Sequence, residues 1–198
     1  MNTLWAFGDS FTRGLGITND QYQYKTYIGK HEKIWPYLLS KHLGTNTEVV
    51  AFNGISNDMI WDLIIDNWYN ILPGDYVIIG LTKLPRWQVY SPGHRQAGLF
   101  NKAPVRDTQL LLNGKLVLEN IRDNMEDAFD NTMTNFLFLA ERFKDKDCKS
   151  YVWDSSLWQK FDTIKNETKG KDLFHDDHHW GIKGNKQMFK HLKKEMKL

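Results

Sequence analysis

Two short runs, far apart in the chain, hold the residue types that acyl-transfer chemistry needs. The first is Gly8-Asp9-Ser10; the second runs from His175 to His179 and offers three imidazoles and the carboxylates of Asp176 and Asp177. A serine hydroxyl is a poor nucleophile until a base takes its proton, and imidazole is the side chain best matched to that task near neutral pH. The imidazole in turn needs an acceptor on its second nitrogen, which a carboxylate supplies. A serine after glycine in a tight strand-to-helix turn also sits among unpaired helix N–H groups, which favour a developing negative charge. Taken alone, a serine in such a place is more readily explained by helix capping than by catalysis. What separates the two readings is whether the other chemical groups reach the same edge of the fold.

The elements that must bring them there are legible. Apolar strands alternate with amphipathic helices, the pattern of βαβ units around a parallel sheet. Strands are expected at 3–7, 47–52, 75–81 and 149–153. A helix over 34–43 is closed by Gly44 as a left-handed cap. The next, capped by Asn57 or Asp58, carries Ile60, Leu63, Ile64 and Ile71 at helical spacing. A long helix over 120–144 is expected to bury Ile121, Met125, Phe129, Phe136, Leu137, Ala140 and Phe143, and a closing helix over 181–196 carries Ile182, Phe189 and Leu192. The fold class is α/β, three-layer α/β/α around a mostly parallel sheet, as one domain over residues 1–198. Between residues 84 and 119 the alternation breaks down around Pro85, Pro92 and Pro104, and Asn113-Gly114 marks a two-residue hairpin. This excursion is either a wall or lid of the substrate site or surface decoration and an oligomer contact.

In open parallel sheets, ligands bind beyond the carboxyl ends of the strands. The expected strands deliver Gly8-Asp9-Ser10, Asn53-Gly54, Gly80-Leu81-Thr82 and Asp154 to that rim. The histidine run lies between the last strand and the closing helix, on the same side. A hydroxyl, glycine N–H groups and a His/Asp cluster thus converge on one edge.

These runs also carry a family likeness. LWAFGDSFTRG, starting at Leu4, resembles the first block of the SGNH (GDSL-type) hydrolases. FNGISND resembles the second block, with Gly54 as its glycine, and Asp176-x-x-His179 followed by Gly184 resembles the closing Asp-x-x-His block. The matches keep the family's order from residue 4 to residue 184. The resemblance implies a flavodoxin-like α/β/α fold and hydrolysis of esters, commonly acyl groups on lipids or sugars. It implies Ser10 as nucleophile, His179 as general base and Asp176 as its orienter; by its place after the last strand, Asp154 is a competing acid. The backbone N–H groups of Ser10 and Gly54 would form part of the oxyanion hole. The third block departs from the family. Where Gly-x-Asn-Asp is usual, with asparagine donating to the oxyanion, this chain has Gly80-Leu81-Thr82-Lys83. A threonine hydroxyl donates one hydrogen bond from a shorter arm, and loss of one oxyanion donor typically costs ~10²–10³ in turnover. Asn57 or Arg86 would compensate; Asp9, Arg86 and Trp180 are further candidates for substrate contact.

Composition narrows the classes. With 26 basic and 24 acidic residues among 198, the net charge of +2 gives no reason to expect a nucleic-acid partner. The late lysines read as the solvated face of a last helix. Eight tryptophans imply a bulky core or an aromatic-lined groove. One cysteine, Cys148, excludes an internal disulfide and fits a reducing compartment. No run suits a membrane span or a secretory leader, so a cytoplasmic location is expected. No cofactor or metal is expected, since adjacent ligands in so short a run rarely wrap one ion and no CxxC or HExxH spacing supports them. Two rival functions stay open: a binding module that keeps the fold without turnover, for instance for a glycan, and a metal-dependent phosphoesterase using the His175–His179 run.

Overall fold

A computed structural model describes residues 1–14, 32–53, 55–82, 89–91, 94–96, 111–112, 115–116, 125–154, 157, 160–161 and 180–198. Residues 89–91, 94–96, 111–112, 115–116 and 125–130 are described by their backbone alone.

Four parallel strands form the sheet: β1 (Thr3–Gly8), β2 (Asn46–Ala51), β3 (Tyr76–Leu81) and, last in the chain, β8 (Lys149–Asp154), in the order β2-β1-β3-β8. β1 pairs with both β2 and β3, its Ala6 level with Val49 on one side and Ile78 on the other. Buried on both faces, β1 and β3 are near-continuous apolar runs. Successive side chains point to opposite faces, and each set has its own helical cover. Leu4, Ala6 and Ile78 pack with α2 (Trp35–Leu43) and α5 (Ile182–Glu195). Trp5, Phe7, Val77 and Ile79 pack with α3 (Asn57–Asn67) and α4 (Met125–Asp145). A short helix, α1 (Ser10–Arg13), follows β1 directly. The result is the three-layer α/β/α arrangement that the hydrophobic periodicity implies.

Several details differ from the sequence reading. Ser56, not Asn57 or Asp58, caps α3, its Oγ accepting the Met59 N–H at 3.3 Å. Leu137 is 51% exposed; the buried stripe of α4 is Phe136, Leu139, Ala140 and Phe143, and Leu137 stands one residue, about 100° of helix rotation, away from it. Ile121 and the side chains of Met125 and Phe129 lie outside the described residues. Asp75, expected to start β3, precedes it: its Oδ1 accepts Thr3 N–H at 2.7 Å, and its Oδ2 accepts Trp5 Nε1–H at 2.9 Å and Leu72 N–H at 3.0 Å. It fastens the sheet edge opposite the strand carboxyl ends.

Between β3 and α4, β6 (Leu111–Leu112) pairs antiparallel with β7 (Lys115–Leu116), as Asn113-Gly114 implies. A second hairpin, β4 (Val89–Ser91) with β5 (His94–Gln96), brackets Pro92-Gly93, a turn-forming pair that the sequence reading passed over.

Charge is divided between the helical layers. α3 carries three aspartates and no cation, and α4 five acids against Arg142 and Lys144, together −6. On the other layer α2 has Lys41, and α5 has five lysines against Glu195, together +5. No helix among the described residues is long and apolar enough to cross a membrane.

His191 on α5 shares a 3.2 Å hydrogen bond with the Tyr151 hydroxyl on β8. Burial lowers the His191 pKa, Lys160 and Lys194 lower it further, and Glu195 opposes them. A depressed imidazole pKa means that the unfolded chain takes up the proton first. The stability it contributes is therefore present above the ordinary value of about 6.5 and is lost as pH falls below it. His191→Gln is expected to flatten the fall in Tm between about pH 7.5 and 5.5, as measured by thermal melts across that range.

Candidate functional site

The strand order sets a topological switch point. From β1 the chain moves to β2 on one side and to β3 on the other, so the crevice for a ligand opens beyond the carboxyl ends of β1 and β3. Two glycines meet there. A Cβ on Gly8, whose φ is 157°, would run into the Thr12 side chain and come within 3.0 Å of the Gly80 carbonyl oxygen. A Cβ on Gly80 would lie 2.5 Å from the Trp153 ring and 2.9 Å from Thr12 Oγ1. Thr12, fully buried, thus wedges α1 onto both strand ends.

Asp9, between β1 and α1, caps the helix: its Oδ1 accepts the Phe11 N–H at 3.0 Å, and its carbonyl oxygen accepts Thr12 N–H at 3.1 Å and Arg13 N–H at 3.0 Å. The capping role therefore belongs to Asp9 and not to Ser10. Ser10 is the first helical residue, 2% exposed, and its carbonyl oxygen accepts the N–H of Gly14, which ends the turn at a φ of 81°.

Across the crevice, Thr82 follows β3 and is held by Asn57, the first residue of α3. Asn57 Oδ1 accepts Thr82 N–H and Asn57 Nδ2 donates to the Thr82 carbonyl oxygen, both at 2.9 Å. One side-chain amide thereby occupies both backbone groups of Thr82. Thr82 is 2% exposed, and its Oγ1 has no hydrogen-bond partner among the described residues. Asp154 ends β8 level with Leu81, on the same rim.

The third arm of the rim arrives with Trp180, 1% exposed. Its ring meets Phe11 edge-on at 5.1 Å and also packs on Trp153 and Phe161, both at 5.5 Å; Trp153 meets Trp35 at 6.4 Å. Trp180 is thus a wall of the core beneath the rim. Asn185 fixes the backbone here: its Nδ2 donates to the carbonyls of Trp180 (3.3 Å) and Gly181 (3.1 Å), and its Oδ1 accepts Trp35 N–H at 3.0 Å. α2 has no cap from its own N-cap residue, Ile34, so Asn185 serves that end from 150 residues away.

Ser10, Asp9, Thr82, Asn57 and Trp180 are therefore placed at or beneath one rim. Asp176, His179, Gly54 and Arg86 lie outside the described residues, as does the whole His175–His179 run. Among the described residues no three His, Cys, Asp or Glu side chains gather as a metal site. The sequence reading missed Thr12 as a wedge and Asn185 as a clamp. Asn185 did leave a signal: it shares a helix face with Met188 and Leu192, and an amide on an apolar stripe needs partners inside the protein.

No protein-family model matches the chain, and no curated protein matches it. Among solved structures it is similar to a carbohydrate esterase family 2 (CE2) enzyme plus carbohydrate binding domain from Corynascus thermopiles (Myceliophthora fergusii), with a TM-score of 0.53 and 14% sequence identity. The alignment covers 98% of this chain and 65% of that one, so this chain spans less than two thirds of its neighbour's length. At that identity the likeness establishes the fold.

Asn185→Ala leaves the Trp35 N–H without its acceptor in a buried place. It is expected to cost about 2 kcal/mol of stability or more. A lowered urea midpoint at unchanged m-value would report it.

Proposed function

We propose that the chain is a serine-dependent ester hydrolase, with Ser10 as nucleophile, His179 as general base and Asp176 as the carboxylate that orients it. The observation that carries this reading is the ring contact of Phe11 with Trp180. The residue after Ser10 touches the residue after His179, so two chain segments nearly 170 residues apart in sequence are locked side by side at the strand ends. Asp9 takes the capping role, and Ser10 is buried at the switch point.

In this mechanism Ser10 Oγ attacks the ester carbonyl carbon while His179 takes its proton. The charge that develops on the carbonyl oxygen faces the backbone N–H groups of Ser10 and Gly54. Collapse returns the proton to the departing alcohol and leaves an acyl-serine; water, activated by the same imidazole, then releases the acid. The likeness to a carbohydrate esterase supports an acylated glycan, or a small ester of that kind, as the substrate class.

A fluorophosphonate probe is expected to label Ser10, as read by peptide mapping, and an activated short-chain ester to give a burst of alcohol. Ser10→Ala and His179→Ala are each expected to lower kcat by ~10⁴ or more. Turnover undiminished in Ser10→Ala would refute the assignment.

A further inference from the structure

We propose that Arg13 and Phe52 form a subsite beside the nucleophile for an anionic group of the substrate, so that the ester this protein hydrolyses best carries a carboxylate close to the scissile bond. This rests on the ester-hydrolase reading above and narrows its substrate class.

Arg13 is the last residue of α1, three after Ser10. Residues three apart on a helix are surface neighbours, with about 5–6 Å between their Cβ atoms. Backbone bonds fix that turn: Arg13 N–H donates to the Asp9 carbonyl oxygen and Gly14 N–H to that of Ser10, both at 3.0 Å. The Arg13 guanidinium lies over the Phe52 ring, 5.7 Å from its centre. Phe52 reaches this place because the pairing of β2 with β1 runs on past the last residue of β2. Ala51 is level with Gly8, and Phe52 N–H donates to the Gly8 carbonyl oxygen at 3.2 Å. Cation and ring therefore stand at the β2 flank of the crevice.

Phe52 is not a core residue. It is 47% exposed, whereas Phe7 on β1 and Phe11 on α1 are buried. The helix dipole does not call for Arg13 either. A cation ordinarily suits a helix C-terminus, but α1 is four residues long, about one turn, and its two ends lie too close together to hold much charge apart. An exposed ring under a guanidinium steadies the cation where the rim opens to solvent. The ring takes the guanidinium's face, and the N–H donors run outward in its plane, in the fork that matches a carboxylate. Such a contact is made to the substrate before any bond changes, so its effect belongs in KM more than in kcat.

The test compares kcat/KM within matched pairs of esters, one member charged and the other neutral. With the anion on the alcohol side, the pair is para-acetoxybenzoate and para-acetoxybenzamide. With the anion on the acyl side, it is the p-nitrophenyl monoester of adipic acid and p-nitrophenyl hexanoate. At low salt the native protein is expected to favour the charged member of one pair by about tenfold or more, mostly through KM. That preference is expected to shrink as salt is raised, and the pair that shows it tells which side of the ester bears the anion. Arg13→Gln is expected to abolish the preference and Arg13→Glu to reverse it. Phe52, the positioning residue, is tested by Phe52→Leu, which is expected to weaken the preference, and by Phe52→Tyr, which is expected to restore it. Lys149→Gln is the control. It removes the same charge and the same kind of contact, Lys149 over the Tyr76 ring at 5.5 Å, but at the amino-terminal edge of the sheet, and it keeps the preference. Charged and neutral members turned over within about twofold of each other in both pairs, or a preference that survives Arg13→Gln, overturns this inference alone when Ser10→Ala is inactive. Retained turnover in Ser10→Ala, or a native protein inert toward every one of these esters, overturns the serine mechanism and this inference with it.

Discussion

The close approach of α1 to the ends of β1 and β3 is the contact on which the rest of the structure depends. Gly8 and Gly80 lie together, and the Thr12 side chain occupies the space that a Cβ on either one would need. Behind Gly80 stands Trp153, and from there a run of rings leads through Trp180 to Phe11. One missing methyl group on each strand thus decides where Ser10 sits, how deep Trp180 packs, and where the chain enters α5. Interiors are packed tightly enough that an added methyl at such a joint must displace backbone.

Two asparagines hold what this joint brings together. Asn57 ties the first turn of α3 to the residue after β3, and Asn185 ties α5 to the first turn of α2. Both satisfy backbone groups at the ends of helices or strands, where the regular ladders run out and a polar group would otherwise be buried unpaired. Rigid scaffolding around a chemically busy rim is built from such side-chain bonds, since ladder bonds cannot reach past the last residue of an element.

The strands were readable to within a residue because apolar runs and their breakers are local signals. The same holds for Gly44, whose φ of 66° closes α2, and for the hairpin around Asn113-Gly114. Leu137 was misjudged because the five adjacent apolar residues from Phe136 to Ala140 cannot all face one way on a helix, and the sequence does not say which turn out. The bonds from Asp75 to Trp5, Asn57 to Thr82 and Asn185 to Trp35 escaped because they span 25 to 150 residues, and nothing local encodes a long-range side-chain bond. Of the candidate site, Gly54, Asp176 and His179 lie outside the described residues, while the placing of Ser10 just past β1 and of Thr82 just past β3 was legible. The exchange of roles between Asp9 and Ser10 was not, since either side chain is an equally good cap on paper.

The division of charge between the helical layers has a practical side. With −6 on α3 and α4 and +5 on α2 and α5, these four helices are polarised across the plane of the sheet. The field of these four helices alone turns the lysine-bearing side toward a negatively charged support at low salt, and the opposite side toward a positively charged one. In either orientation the sheet lies flat against the support. The rim that carries Ser10 and Thr82, both buried, then faces along the support instead of into it.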